Sequence, residues 1–352
     1  MSDSVIADDW QRAPTKLSAY LSARLHGDAS SICLKPISGG RSYVTYWLRI
    51  GDQLHVLRQA PPASDLPTAH DIEREYELLR ALDETTPVNV AKPLLLCTDR
   101  AVFGSPFMVM SKVDGFTLSS ESDGAMLSIE ERSDASRCFV DQLAALHSVA
   151  KPTPSRSKLP FLHRQVDRWL SQWQHAQALH PPELNRRFLS LAAAIRGSAQ
   201  LRERPTLVHG DYRFDNVILR RVAGSIEVAA VIDWEMATYG DPLVDLGYTL
   251  ASWTEVGDAP DRSDLPVGRR VSAHPGFMTR ADLQQYYAES RGVSLPDMTV
   301  YEAFGFLKLA AIFAGINRLG FRQSQHVDRQ LTRHVDRLIT NGHRLIQMNA
   351  LN

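Results

Sequence analysis

Cysteine is scarce in this chain, and neither sign of charge prevails. Cys33, Cys97 and Cys138 are its three cysteines in 352 residues, and they lie far apart. That spacing gives no disulfide framework and no zinc site, and it fits a reducing compartment. Lysine and arginine number 39 against 40 acidic residues, a net charge of −1. A nucleic-acid partner is therefore not expected, because such surfaces carry a basic excess. The opening stretch, MSDSVIADDWQRAP, is acidic and lacks an apolar centre, so no signal peptide is expected. The most apolar late stretch, 304–316, is interrupted by Lys308 and reads as too short to cross a bilayer. The expectation is a cytoplasmic protein with no membrane partner. No internal repeat is found, and nothing in the sequence speaks to oligomeric state.

What is present is the composition of a globular protein, 44% apolar and 22% charged. At 352 residues the chain exceeds one typical core, which predicts two lobes. Residues 14–26 read as a short amphipathic helix. Strands are predicted over 31–37, 44–50 and 53–59, with Gly51-Asp52 as a tight hairpin turn. TAHDIEREYELLRALDE reads as a helix with Ile72, Leu78, Leu79 and Leu82 favouring one face. AKPLLLCT and SPFMVMSKV follow as apolar runs of strand length. The first part is thus an antiparallel sheet with one helix inserted after the third strand.

Beyond Gly115 helical patterns take over: 129–149, 165–178, 185–197, 280–290, 300–319 and 325–348. In the last, Val327, Val335, Leu338, Ile339, Leu345 and Ile346 make an apolar stripe. Residues 251–276 read as an irregular, polar surface loop. The domain reading is residues 1–111 as a nucleotide-binding sheet lobe, and 112–352 as a lobe with the catalytic loop, metal site and helical acceptor region.

The chemistry concentrates in LVHGDYRFDNVIL, residues 207–219, where a polar knot separates two apolar runs. A strand, SIEVAAVIDWE, follows and ends in Asp233. Asp and Asn are hard oxygen ligands suited to magnesium. A magnesium bound by Asn216 and Asp233 leaves Asp211 free as base or orienter for an attacking hydroxyl. The spacing His209-Gly210-Asp211-x4-Asn216 is the catalytic-loop pattern of kinases, with Asp as base and Asn as metal ligand.

With HGDxxxxN, IDWE and GDPLVDLGY in this order, the chain resembles the aminoglycoside phosphotransferase and choline kinase superfamily. It is most similar to phosphotransferase domains related to those fused to acyl-CoA dehydrogenases. That closer resemblance rests on SGGRSYVTYWL, HVLRQAPP, AHDIEREYELLRAL, GSPFMVMSKVDG and YEAFGFLKLAAIFAGI as well, and covers nearly the whole chain. It implies an α+β, two-lobed, protein-kinase-like fold. It also implies transfer of a phosphoryl group from ATP, with magnesium, to a hydroxyl of a small molecule. The acceptor it implies is a hydroxyacyl thioester or hydroxy acid, ahead of an aminoglycoside or amino alcohol. The rival reading is a nucleotide-binding pseudokinase or regulatory module without turnover. A metal-dependent phosphohydrolase is disfavoured, because the clustered His/Asp set of a two-metal site is lacking.

The resemblance assigns roles residue by residue. Asp211 stands for the catalytic aspartate, and Asn216 and Asp233 for the magnesium ligands. Arg213 either stabilises charge on the γ-phosphoryl group or is a salt-bridged surface arginine. His209 shapes the loop by hydrogen bonding, Asp215 serves solvent or a local turn, and Trp234 packs. Asp241 begins a turn, and Asp245 braces the loop backbone. Arg58 stands where kinases place the strand-three lysine that holds the α/β phosphates. Glu75 is its helix partner, with Glu73 and Glu77 as competitors. Gly39 and Gly40 allow a close backbone approach to phosphate. Backbone groups from Ser111 to Val113 would bond the adenine, with Met108 or Met110 lining its pocket. Glu255, Asp258, Asp261 and Asp264 are the acids available to a polycationic acceptor, offset by Arg262, Arg269 and Arg270.

Overall fold

The computed structural model describes residues 10–37, 43–61, 72–151, 159–198 and 205–349. It divides into two compact units. The first comprises Met1–Phe116, Ile218–Arg221 and Val228–Met236, and the second Thr117–Val217, Val222–Glu227 and Ala237–Asn352. The SGGRS turn with Gly39 and Gly40, and the first residues of the predicted 68–84 helix, lie outside the described residues.

The first unit opens with β1 (Gln11–Arg12), α1 (Thr15–Leu25), β2 (Cys33–Pro36), β3 (Val44–Ile50) and β4 (Gln53–Gln59). It continues with α2 (Ile72–Thr85), β5 (Pro93–Cys97), α3 (Arg100–Phe103) and β6 (Phe107–Ser111). The strands form one sheet in the order β1-β2-β3-β4-β6-β5, and every neighbouring pair is antiparallel. Ile50 pairs with Gln53 across a two-residue turn, and Gly51 takes a φ of 57° there, which a Cβ would disfavour.

Alternation along the strands sends two sets of side chains to opposite faces. Leu57, Phe107 and Val109 join Leu34, Leu48 and Ile50 in a buried cluster closed by Leu17 and Leu21 of α1. Arg58, Met108 and Met110 therefore point to the other face, where Arg58 lies opposite Met108. α2 packs on β5 and β6 with a stripe of Ile72, Glu75, Leu79 and Leu82. A glutamate within an apolar stripe calls for a buried partner.

The second unit contains α4 (Glu121–Ala125), α5 (Ile129–Leu146), α6 (Phe161–Gln174), α7 (Pro182–Ser198) and β7 (Thr206–Val208). In chain order the hairpin β8 (Val217–Val222) and β9 (Ser225–Val231) follows, most of it counted with the first unit, and then β10 (Thr238–Gly240), which pairs antiparallel with β7. The chain ends in α8 (Leu243–Ser252), α9 (Pro260–Ser263), α10 (Arg280–Arg291), α11 (Thr299–Ser324) and α12 (Arg329–Asn349). α5 starts with a capping box in which Ser128 and Glu131 satisfy each other's backbone amides. α11 is the central helix, packed by α6, α7, α8 and α12. α8 approaches it closely at Gly247 and Gly305: a Cβ on Gly247 would meet the Tyr301 carbonyl oxygen at 2.3 Å.

The apolar 304–316 stretch lies inside α11, whose 26 residues are long and apolar enough to span a bilayer by length and composition alone. Its most apolar window is 72% buried within the protein, as a core helix would be. The 251–276 segment, read as an irregular polar surface loop, is largely irregular but only partly exposed. Trp253, Leu265, Val267 and Val271 are buried and pin it to the unit.

Candidate active site

In the sheet unit the Arg58 guanidinium donates to Glu75, which is 1% exposed, and lies 3.3 Å from Asp233. The Tyr43 ring stacks against the same guanidinium, 4.4 Å away. Burial pushes the Glu75 carboxyl above the ordinary range, and the Arg58 charge opposes that rise. Glu73 is exposed, and Glu77 pairs with Arg80 on the surface, so of the three acids Glu75 is the partner of Arg58. Asp233 sits at a φ of 67°. A left-handed conformation at a non-glycine costs roughly 1–3 kcal/mol and is a frequent mark of functional sites. Its side chain keeps 39% exposure while Trp234 beside it is buried, its indole N–H bonded to Val231.

Ser111, one of the residues read as lining the adenine pocket, has its amide engaged within the sheet unit. That amide donates to the Lys92 carbonyl, and the Ser111 hydroxyl accepts from the Lys92 amide. Val113 lies two residues past the end of β6, outside the strand pairing. Met110 is 6% exposed and Met108 fully buried, both on the Arg58 face.

In the helical unit, Asp211 is the centre of a dense polar cluster. Its Oδ1 accepts from the Tyr248 hydroxyl at 2.5 Å and lies 3.1 Å from Arg213 Nε. Its Oδ2 accepts from Asn216 Nδ2 at 3.0 Å, and the same amide nitrogen donates to the Asp211 carbonyl. Those two bonds engage the amide nitrogen and orient the Asn216 side chain. Burial alone would raise the Asp211 carboxyl; Arg213, Lys308 and the Tyr248 hydroxyl together hold it below the ordinary carboxylate range.

The loop backbone is clamped as well. Asp245 accepts the amides of His209, at 2.5 Å, and Gly210, at 2.8 Å. His147 stands 3.4 Å from the same carboxylate and shares a 2.7 Å hydrogen bond with the Tyr287 hydroxyl. Its imidazole is pushed toward the neutral form by burial. In the next peptide, Lys308 donates to the Gly210 carbonyl. His209 accepts the Asp211 amide, which is the loop-shaping role expected of it. Asp241 accepts from Tyr301 and from the Leu243 amide at the start of α8. Asp215, read as serving solvent or a local turn, lies in the 3-10 turn Phe214–Asn216, keeps 34% side-chain exposure and pairs with Arg213 at 3.1 Å. Arg213 is thus ion-paired on both sides of the loop and is 22% exposed.

Tyr248, Lys308 and His147 carry this cluster, and sequence reasoning assigned them no role. The one available signal was a lone lysine inside the apolar 304–316 stretch. Among the described residues, no group of three or more His, Cys, Asp or Glu is placed to hold a metal by itself.

The antiparallel sheet with its buried arginine–glutamate pair, and the helical unit with its His-Gly-Asp loop, define a kinase-like phosphotransferase fold of the α+β class. Residues 34–278 match the phosphotransferase enzyme family, and the chain belongs to that family. It is 32% identical to acyl-CoA dehydrogenase family member 11 of Mus musculus, over 86% of this chain and 39% of that protein. Acyl-CoA dehydrogenase family member 10 of the same species is 31% identical, over 79% of this chain and 25% of that protein. The chain therefore spans about two fifths of the first relative and a quarter of the second. The crystal structure of a "putative aminoglycoside phosphotransferase" from Ralstonia eutropha JMP134 superposes with a TM-score of 0.74 at 26% identity, covering 95% of this chain and 98% of that one. Spectinomycin phosphotransferase APH(9)-Ia, solved with ADP and spectinomycin, shares the fold alone. Its TM-score is 0.61 at 12% identity, over 96% of this chain and 100% of that one.

Proposed function

We propose that this phosphotransferase moves the γ-phosphoryl group of ATP, with magnesium, to a hydroxyl of a small molecule. The observation that carries the reading is the Asp211 carboxylate, which is partly buried with 22% side-chain exposure, kept ionised and fixed at both oxygens by Tyr248, Arg213 and Asn216. A carboxylate held in this way can orient an acceptor hydroxyl and take its proton. A binding module without turnover has no use for such a base, which disfavours the pseudokinase reading.

The donor set fits magnesium. Asn216 offers an amide oxygen and Asp233 a half-exposed carboxylate on strained backbone. Magnesium held by these two residues would neutralise phosphate charge. Arg58, locked by Glu75, presents a guanidinium suited to phosphate oxygens. Arg213 is placed beside the base, where it can offset charge on the transferred group. Met110 and Val113 are assigned to the nucleotide base, and Gly39 and Gly40 to its phosphates.

The acceptor is read as a hydroxyacyl thioester or hydroxy acid rather than a polycation. The four acids read as available to a polycation are each ion-paired: Glu255 and Asp258 with Arg280, Asp261 with Arg344, and Asp264 with Arg337. The relatives named acyl-CoA dehydrogenases point the same way. The test is phosphorylation with ATP–magnesium against hydroxyacyl thioesters, hydroxy acids, aminoglycosides, choline and sugars. Transfer to a hydroxyacyl compound supports the reading. Transfer to aminoglycosides alone overturns the acceptor class, and no transfer to any acceptor overturns the activity.

A further inference from the structure

Lys308 is a buried lysine, 4% exposed, in the middle of the core helix α11. Nothing in the packing of an apolar helix asks for an ammonium there. Burying one without good partners is costly. The group therefore needs a reason to be there, and its contacts supply one. Its Nζ donates to the carbonyl of Gly210, the residue before Asp211. It also lies 4.0 Å from the centre of the Tyr248 ring, and 5.6 Å from that of Trp169 on α6. The Tyr248 hydroxyl in turn donates to Asp211 Oδ1 at 2.5 Å.

We propose that Lys308 is a positioning residue for phosphoryl transfer, fixing Asp211 by two routes: the Gly210 carbonyl, and the Tyr248 ring whose hydroxyl holds the Asp211 carboxylate. This inference rests on the phosphotransferase reading of Asp211. The two routes act on different degrees of freedom. Asp245 holds the amides of His209 and Gly210, which fixes the two preceding peptides; Lys308 holds the Gly210 carbonyl and His209 accepts the Asp211 amide, which together fix the peptide plane leading into Asp211. An ammonium over a phenol ring draws electron density from it and makes the hydroxyl a better donor, which fixes the carboxylate rotamer. The charged groups facing Lys308 are Asp211 and Arg213 from the loop, Asp245 from α8 and Arg168 from α6.

The test compares Lys308→Met, Tyr248→Phe and the double variant with wild type, as the full chain. The first readout is turnover of ATP–magnesium with the best acceptor found. Misplacing a catalytic group by an ångström can cost roughly 10²-fold, so kcat should fall by about that factor in Lys308→Met while KM for ATP stays near wild type. Tyr248→Phe should also lower kcat at unchanged KM. The double variant should lose little more than the worse single variant, because both act through Asp211. The second readout needs no acceptor: backbone amides of His209, Gly210 and Asp211 should exchange faster in Lys308→Met, although its melting temperature is equal to or above wild type. Wild-type exchange and wild-type kcat overturn the proposal. So does a loss of kcat matched by a rise in KM and a fall in melting temperature, which marks a merely structural lysine. Losses that multiply in the double variant overturn the Tyr248 route. If wild type transfers phosphate to nothing, the phosphotransferase reading fails by itself. The exchange arm then still decides whether Lys308 clamps the loop. Should Lys308→Met not fold, Tyr248→Phe decides alone, and unchanged kcat sinks the proposal.

Discussion

At the residue scale, the two candidate clusters differ in what holds their charges. Asp211 is partly buried and ringed by donors, so its carboxylate is stabilised without being neutralised by a single bidentate partner. Asp211→Asn should fold and bind ATP–magnesium, yet lose about 10²–10⁴-fold in turnover, the usual contribution of general acid–base catalysis. Wild-type turnover in that variant removes Asp211 from the role of base. Arg58 is instead locked by one buried carboxylate and one half-exposed carboxylate. If its charge serves the phosphates, Arg58→Met should weaken ATP and leave adenosine nearly untouched, and Glu75→Gln should reproduce part of that selective loss. Calorimetric titration of both variants with ATP–magnesium and with adenosine decides this, and equal losses for both ligands mean a structural arginine. The sequence singled out Asp211, Asn216 and Asp233 at residue resolution, because they belong to motifs with fixed spacing. It held the Arg58–Glu75 pair only as one choice among three acids. Burial decides between them, and burial is not written in a charge run.

At the scale of elements, β3, β4 and the late helices were legible because they alternate or carry one apolar stripe. α8 was not. All of its residues are buried, so it has no polar face from which a helical period can be read. The burial within the 251–276 segment was missed for the opposite reason, since its four buried anchors are scattered singly through polar sequence. Lys308 and Tyr248 lie 98 and 37 residues from their partners in the loop, a distance at which one sequence carries no pairing signal. α11 gives a prediction with a definite sign. Burial pulls the Lys308 ammonium down from its ordinary 10.5 to about 8, against the pull of Asp211 and Asp245. Between those two pH values the unfolded chain binds the proton and the folded chain does not, so stability rises with pH across the window. Below about 8 both states are protonated and the cost of the buried charge is felt in full. The gain across the window is on the order of 3 kcal/mol. Urea unfolding of wild type and Lys308→Met at pH 7 to 10.5 checks it. The difference between the two should shrink or reverse as pH rises, and parallel curves contradict the assignment.

At the scale of the whole molecule the chain is nearly neutral, with 39 basic against 40 acidic residues. Ligand linkage should be visible in the melting curve: ATP–magnesium at about 100 times its dissociation constant stabilises by roughly 2.7 kcal/mol. Chelating magnesium should abolish most of that shift, and Asp233→Ala should abolish the magnesium-dependent part even when magnesium is present. An equal shift with ATP alone would remove the metal from the account. The central claim is phosphoryl transfer from ATP to a small-molecule hydroxyl with Asp211 as base. Its most direct test is incubation of wild type and Asp211→Asn with γ-labelled ATP, magnesium and a hydroxyacyl thioester, followed by separation of the labelled products. The account predicts label on the hydroxyacyl compound with wild type and a loss of about 10²–10⁴-fold with the variant. Label that stays on ATP or appears only as free phosphate with wild type, or equal transfer by both proteins, would contradict it.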